Sequence, residues 1–134
     1  MIKLCIPGEP CAKGRPRLGK WGTYTPDKTV NYENLVKQLY ISEHAGEKLN
    51  GALHLTVKAY FKIPKSTPKK NIPDMIAGKV TPTKKPDIDN IIKIIGDSLN
   101  GLAYDDDSQI VAIIAEKFYS DNPRVELTLS EASK

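Results

Sequence analysis

Six aspartates gather around Lys93 between Lys84 and Gln109: Asp87, Asp89, Asp97 and the run Asp105-Asp106-Asp107. Carboxylate oxygens are the hard donors that magnesium and calcium select. The chain of 134 residues carries 20 Lys+Arg against 16 Asp+Glu, a formal net charge of +4, so this acid patch sits in a basic surround. An acid cluster able to hold a divalent cation, set in a surface that attracts a polyanion, implies metal-dependent hydrolysis of nucleic-acid phosphodiesters.

Spacing sets conditions on any shared ion. Residues two apart on a helix do not face each other, so Asp87 and Asp89 can share an ion only if Asp87 stands at or before the helix cap. Pro86 favours this by biasing Lys85 away from helical angles. Asp89, Lys93 and Asp97 then form a polar line at four-residue spacing, where Lys93 can offset carboxylate repulsion or hold a phosphate. In the triplet, strand alternation puts Asp105 and Asp107 on one face and Asp106 on the other, and spacing leaves open which face meets the ion. Such a run alone is more often a solvated turn. The core-like strand that follows it is what would give these side chains a rigid base.

The elements that must position these groups follow from periodicity. Ile2, Leu4 and Ile6 predict a short strand ended by Pro7-Gly8-Glu9-Pro10. The next stretch interleaves Lys13, Arg15, Arg17 and Lys20 with Trp21 and Tyr24. It reads as a backbone-contacting loop or hairpin, or as a solvated loop whose aromatics fold back on the core. Asp27 caps a predicted helix with an apolar stripe at Tyr32, Leu35, Val36, Leu39 and Tyr40, closed by Gly46 and Asn50-Gly51. His44 is expected to face water and His54 to lie in the long strand over 51–63; neither is read as a catalyst. Residues 64–86 are a basic, proline-rich loop with one helical turn near Asp74–Ile76, either part of a DNA-binding wall or a solvated insertion. Lys13, Arg15 and Arg17 in the early stretch, and Lys69, Lys70, Lys84 and Lys85 in the later loop, are the expected phosphate contacts.

A second helix opens at Pro86-Asp87, with Ile88, Ile91, Ile92, Ile95 and Leu99 as its buried stripe, and ends at Gly101. Ile110, Val111, Ile113, Ile114 and Ala115 read as a well-buried strand, and Val125, Leu127 and Leu129 as a last one after the turn Asp121-Asn122-Pro123. The expected fold is α+β over 1–134: a single small domain, a mixed, mostly antiparallel sheet and two main helices. No apolar run is long enough to cross a bilayer, and the start MIKLCIPGEP lacks the apolar core of a signal peptide. A cytoplasmic location, no membrane partner and reduced Cys5 and Cys11 are expected.

Lys85-Pro86-Asp87-Ile88-Asp89-Asn90-Ile91, followed by Lys93, Asp97 and Asp106-Asp107-Ser108-Gln109, resembles the signature of RusA-type Holliday junction resolvases. That signature is an acid-x-acid-Asn pair opening a helix, a lysine four residues after the second acid, and a later Asp-Asp-x-Gln. Lys13-Gly14-Arg15-Pro16-Arg17 and Tyr24-Thr25-Pro26 are also similar to members of this family, many of them encoded in phages or prophages. The resemblance implies a RusA-like fold and a homodimeric, magnesium-dependent endonuclease, with manganese as a substitute ion. It implies branched DNA as partner, with four-way junctions resolved by paired nicks in strands of like polarity. It places metal binding on Asp87, Asp89 and Asp107 and an essential charge on Lys93, with Asp106 and Asn90 supporting the ligands without touching the ion. Two departures bear on junction geometry and cleavage-sequence preference: a shorter spacer around Gly101–Tyr104 and a longer 64–86 loop.

Two other readings use the same residues. A general or flap-type metal nuclease on this fold would cut junctions, flaps and linear duplex alike. A nonenzymatic DNA-binding protein would bind without magnesium-dependent cutting. A calcium-stabilised domain fits poorly, because the acids lack the EF-hand spacing.

Overall fold

The computed structural model describes residues 1–14, 17–24 and 26–132, with the backbone alone for Tyr24. Period-two alternation builds its main sheet. In β1 (Ile2–Pro7) Ile2, Leu4 and Ile6 are buried; in β4 (Leu53–Lys62) the buried set is Leu53, Leu55, Val57, Ala59 and Phe61. In β6 (Arg124–Glu131) it is Val125, Leu127 and Leu129. With β5 (Ile110–Ser120) these strands form one sheet in the order β1-β6-β4-β5. The β1–β6 and β4–β6 pairs are antiparallel and β4–β5 is parallel, which gives the mixed, mostly antiparallel sheet expected. A separate hairpin pairs β2 (Arg17–Gly19) with β3 (Gly22–Tyr24).

The apolar face of the sheet is covered by two long helices. Helix α1 (Asp27–His44) buries Tyr32, Val36 and Tyr40, and α3 (Ile88–Leu99) buries Ile91, Ile94, Ile95 and Leu99 in the same core as the strands. Helix α3 packs on both α1 and the sheet, so its buried arc is the set at i, i+3, i+4, i+7 and i+8 from Ile91. Ile94 is therefore fully buried, while Ile92, expected in the stripe, is only half-buried. Pro26, not Asp27, is the N-cap of α1; Asp27 opens the helix and its charge suits the positive end of the helix dipole.

The 64–86 segment is fastened rather than free. It carries a 3-10 turn at Lys69–Asn71 and a short helix α2 (Ile72–Ile76) that packs against β5. Met75 and Pro82 are buried, and Lys117 Nζ donates to the Lys84 carbonyl at 2.7 Å.

Two further expectations change. Strand β5 is not well buried: Val111, Ile113 and Ile114 are 62, 45 and 62 % exposed. It is the last strand of the sheet, paired with β4 on one side alone. His44 does not simply face water. It pins the opposite edge, with Nε2 2.9 Å from the Lys3 carbonyl of β1 and Nδ1 against Glu47. The Lys3 carbonyl, then Glu47, stabilise its protonated form and raise its pKa. Cys5 is exposed, Cys11 is buried, and both are free thiols. Among the described residues no helix is long and apolar enough to cross a membrane.

Candidate functional site

Asp87 is the N-cap of α3, in extended backbone (φ −68, ψ 150), so it stands outside the regular helix as a shared site with Asp89 requires. Its carboxylate makes no capping hydrogen bond and is exposed. Asp89 lies in the first helical turn, exposed, with Oδ1 accepting the Asn90 amide at 3.0 Å. Asn90 is half-buried just behind the pair, and its carbonyl accepts the Lys13 amide.

The triplet is set beside the C-terminal half of α3 because the chain turns sharply after that helix. Gly101 adopts φ +81, a conformation that strains other residues, and its amide donates to the Tyr104 carbonyl. Tyr104 is buried and its hydroxyl donates to the Gly96 carbonyl at 2.7 Å, fastening the turn to α3. Burial pushes that hydroxyl's pKa up, and the charges of Asp107, Asp97 and Asp106 add to the shift.

The three aspartates then have three different surroundings. Asp105 pairs with Lys48 at 2.9 Å. Asp106 caps the 3-10 turn Asp107–Gln109 and takes the Ser108 hydroxyl at 2.6 Å, which holds its carboxyl below the usual range. Asp107 is exposed beside it; its backbone carbonyl accepts the Ile110 amide, and its carboxylate accepts none of the side-chain hydrogen bonds found among the described residues. The organiser here is Gln109. Its Oε1 accepts the amides of Asp105 and Asp106, and its Nε2 donates to the Gly51 carbonyl at 3.0 Å. The pattern Asp106-x-x-Gln109 is a capping box, a signal present in the sequence.

Among the described residues no three Asp, Glu, His or Cys side chains gather tightly enough to cage an ion. Asp87 and Asp89 lie at the start of α3 and the triplet near its end. From Asp89 to Asp97 the helix climbs roughly 12 Å. The donor chemistry nevertheless fits magnesium, which is commonly held by one or two carboxylates together with substrate phosphates and water. Asp87 and Asp89 are exposed and offer only oxygen donors, two residues apart at the head of α3.

Lys93 is exposed, one turn past Asp89, and takes part in none of the ion pairs found among the described residues. Lys13 is placed differently from the sequence expectation. Its Nζ lies 2.8 Å from Glu33 and 3.3 Å from Asp97, so it braces α1 against α3 instead of facing a phosphate. Arg15 lies outside the described residues. Lys69, Lys70, Lys84 and Lys85 are all exposed.

A groove runs beside Asp87, lined by Arg17, Lys28, Lys85, Pro86 and Asn90. Lys28 carries no signal in the sequence that would single it out; only the tertiary fold brings the start of α1 to this wall. Gly14 closes the groove's floor. Its amide donates to Thr29 Oγ1 at 2.9 Å, and a Cβ there would lie 2.7 Å from that same oxygen. Beyond the groove, the hairpin tip presents Trp21 at 92 % exposure, which removes the reading in which it folds onto the core.

The family model for "Endodeoxyribonuclease RusA" matches residues 7–130 of the chain. A protein of Bacillus subtilis (strain 168), described as "Uncharacterized protein YqaN", is 41 % identical over 139 residues, spanning 98 % of this chain and 97 % of its own.

Proposed function

Because this chain belongs to the RusA endodeoxyribonuclease family, whose members bind branched DNA and resolve Holliday junctions with magnesium, we propose how its own residues carry that activity. The observation that carries the proposal is the placement of Asp87 as an extended, uncapped residue beside Asp89 at the head of α3, on a groove walled by Arg17, Lys28 and Lys85. Asp87 and Asp89 would hold magnesium, and Asp107 joins them on the strength of the family resemblance alone, since it lies toward the other end of α3; the ion when bound supplies Lewis-acid polarisation of the phosphodiester. Lys93 stabilises charge developing on the phosphoryl oxygens. Asp106 and Asn90 hold the ligand-bearing segments in place. Arg17, Lys28, Lys85 and Lys84 seat the DNA backbone at the groove, and Lys69 and Lys70 extend that basic surface. The whole chain acts as one domain in this reading.

The test is cleavage of end-labelled four-way junctions against flaps and linear duplex of the same sequence, with and without magnesium. Paired cuts confined to junctions and dependent on magnesium are expected; equal cutting of all three would favour a general nuclease. In binding assays, R17A and K85A should weaken affinity and flatten its salt dependence, the log–log slope falling by roughly 0.9 for each phosphate no longer neutralised. An unchanged slope would place the DNA elsewhere.

Resolution requires two nicks on strands of like polarity, and a twofold homodimer supplies two equivalent sites. The surface offered for a second copy is the open edge of β5. Ile110–Ala115 carries no charge, exposes Val111, Ile113 and Ile114, and has none of the lysines or prolines that blunt a free edge. A second β5 pairing antiparallel across a twofold axis would continue the sheet. Sedimentation should give twice the 14.8 kDa chain mass, and Ile114→Lys should shift it to one chain. A dimer undisturbed by I114K and by V111K would remove β5 as the interface.

A further inference from the structure

The β2–β3 hairpin has no evident structural purpose. All three residues of β2 are exposed, and among the described residues no helix or other strand packs extensively on the hairpin. Its tip is Lys20-Trp21, between the paired Gly19 and Gly22, with Gly22 at φ +115. Trp21 is 92 % and Leu18 87 % exposed. An exposed indole joins a large apolar face to a polar N–H, the combination that is enriched where aromatic side chains meet a partner. Arg17, at the hairpin's base, lines the groove beside Asp87, and the strand carries the tip roughly 10 Å further out.

The company Trp21 keeps argues for a nucleic-acid partner over a protein. Between Glu9 and Asp27 there is no acid, and there are four basic residues, Lys13, Arg15, Arg17 and Lys20. The Lys20 ammonium lies 5.6 Å from the indole centroid, leaving a cation beside the ring to meet a phosphate. An aromatic ring on a cationic arm is how proteins stack on bases without reading their sequence. Inside a duplex each base has both faces occupied. A branch point offers bases whose stack is interrupted.

We propose that the hairpin is a base-stacking probe, in which Trp21 stacks on nucleobases left unstacked at the branch point while Arg17 and Lys20 hold the flanking phosphates. This rests on the reading of the adjoining groove as the DNA seat and adds how branched DNA is told from linear DNA. Selectivity then resides at the hairpin tip, apart from the aspartates.

Trp21 is the sole tryptophan of the chain, so its emission is a private reporter. The experiment titrates wild-type protein in EDTA with a four-way junction and with linear duplex of the same sequence. Occupancy is followed independently by the anisotropy of labelled DNA. The junction is expected to quench the emission strongly and the duplex, when bound, to leave it nearly unchanged. Trp21→Ala should weaken junction binding by roughly tenfold or more with duplex binding unaltered, and Trp21→Phe should retain most of the affinity. Junction bound at full occupancy without a change in emission overturns the proposal, as does equal quenching by duplex. Emission that changes when the protein alone is concentrated also overturns it, by assigning the ring to a protein partner. Loss of junction-selective cutting in magnesium would instead overturn the functional reading itself, so the two failures are separable.

Discussion

Asp89→Asn is expected to lower single-turnover cleavage of a four-way junction by at least roughly 10²–10³-fold, the scale of losing one group that stabilises transition-state charge. Asn keeps the size and one oxygen of Asp but removes the negative charge. Asp87→Asn and Asp107→Asn should behave alike, because all three are exposed carboxylates whose replacement leaves the core intact. Junction binding should persist in each, and tighten where a negative charge beside the phosphate is gone. The neighbouring acids provide the contrast. Asp105→Asn removes one exposed ion pair with Lys48 and should leave cleavage close to wild type. Asp106→Asn weakens the cap of the 3-10 turn and should act on stability before it acts on rate. The measurement is a single-turnover time course under saturating protein. A D89N protein cutting at the normal rate would remove Asp89 from the site, and a D105N protein as inactive as D107N would show that the triplet acts only as a block of charge.

Lys93→Ala should be nearly as severe, with a loss of roughly 10²-fold or more in single-turnover rate and little change in melting temperature. The side chain is exposed, belongs to no ion pair found among the described residues, and lies off the arc of α3 that meets the core. Its removal therefore opens no cavity. Lys13→Ala should show the reverse pattern. That ammonium bridges Glu33 and Asp97 between two helices, so its loss lowers stability and affects cutting through the altered seat of residues 11–14. Thermal melts and cleavage rates of the two variants side by side distinguish the roles. If K93A cut at full rate, the lysine would have no part in the chemistry.

Much of this architecture is readable in the chain because its patterns are local. Alternation over 53–62 and 124–131, the α1 stripe at Tyr32, Val36 and Tyr40, and the placement of Asp87 outside its helix all follow from one or two turns of backbone. What the sequence misplaces depends on which elements become neighbours. The run Ile110–Ala115 reads the same whether a strand lies in mid-sheet or at an edge, since periodicity reports apolar content and not the number of covering layers. Ile94 displaces Ile92 because α1 and the sheet together fix the rotation of α3. Lys13 has the makings of a phosphate ligand until Glu33 and Asp97, 20 and 84 positions away in the chain, arrive beside it. The site shows the same division. The spacing names the aspartates, while the separate surroundings of Asp105, Asp106 and Asp107 depend on Lys48, Gln109 and the turn at Gly101.

The free-standing hairpin has a consequence for how proteins of this kind diverge. Its residues bury almost nothing against the body, so substitutions, or a longer tip, leave the folding equilibrium nearly where it was. The proposed metal ligands Asp87 and Asp89 have no such latitude, being mounted at the head of α3, one of the most deeply packed elements of the molecule. Selection can thus act on the arm and the cutting centre as separate traits. A family built this way can change the branched structures it accepts by trying new arms on an inherited core, with each trial sparing the fold.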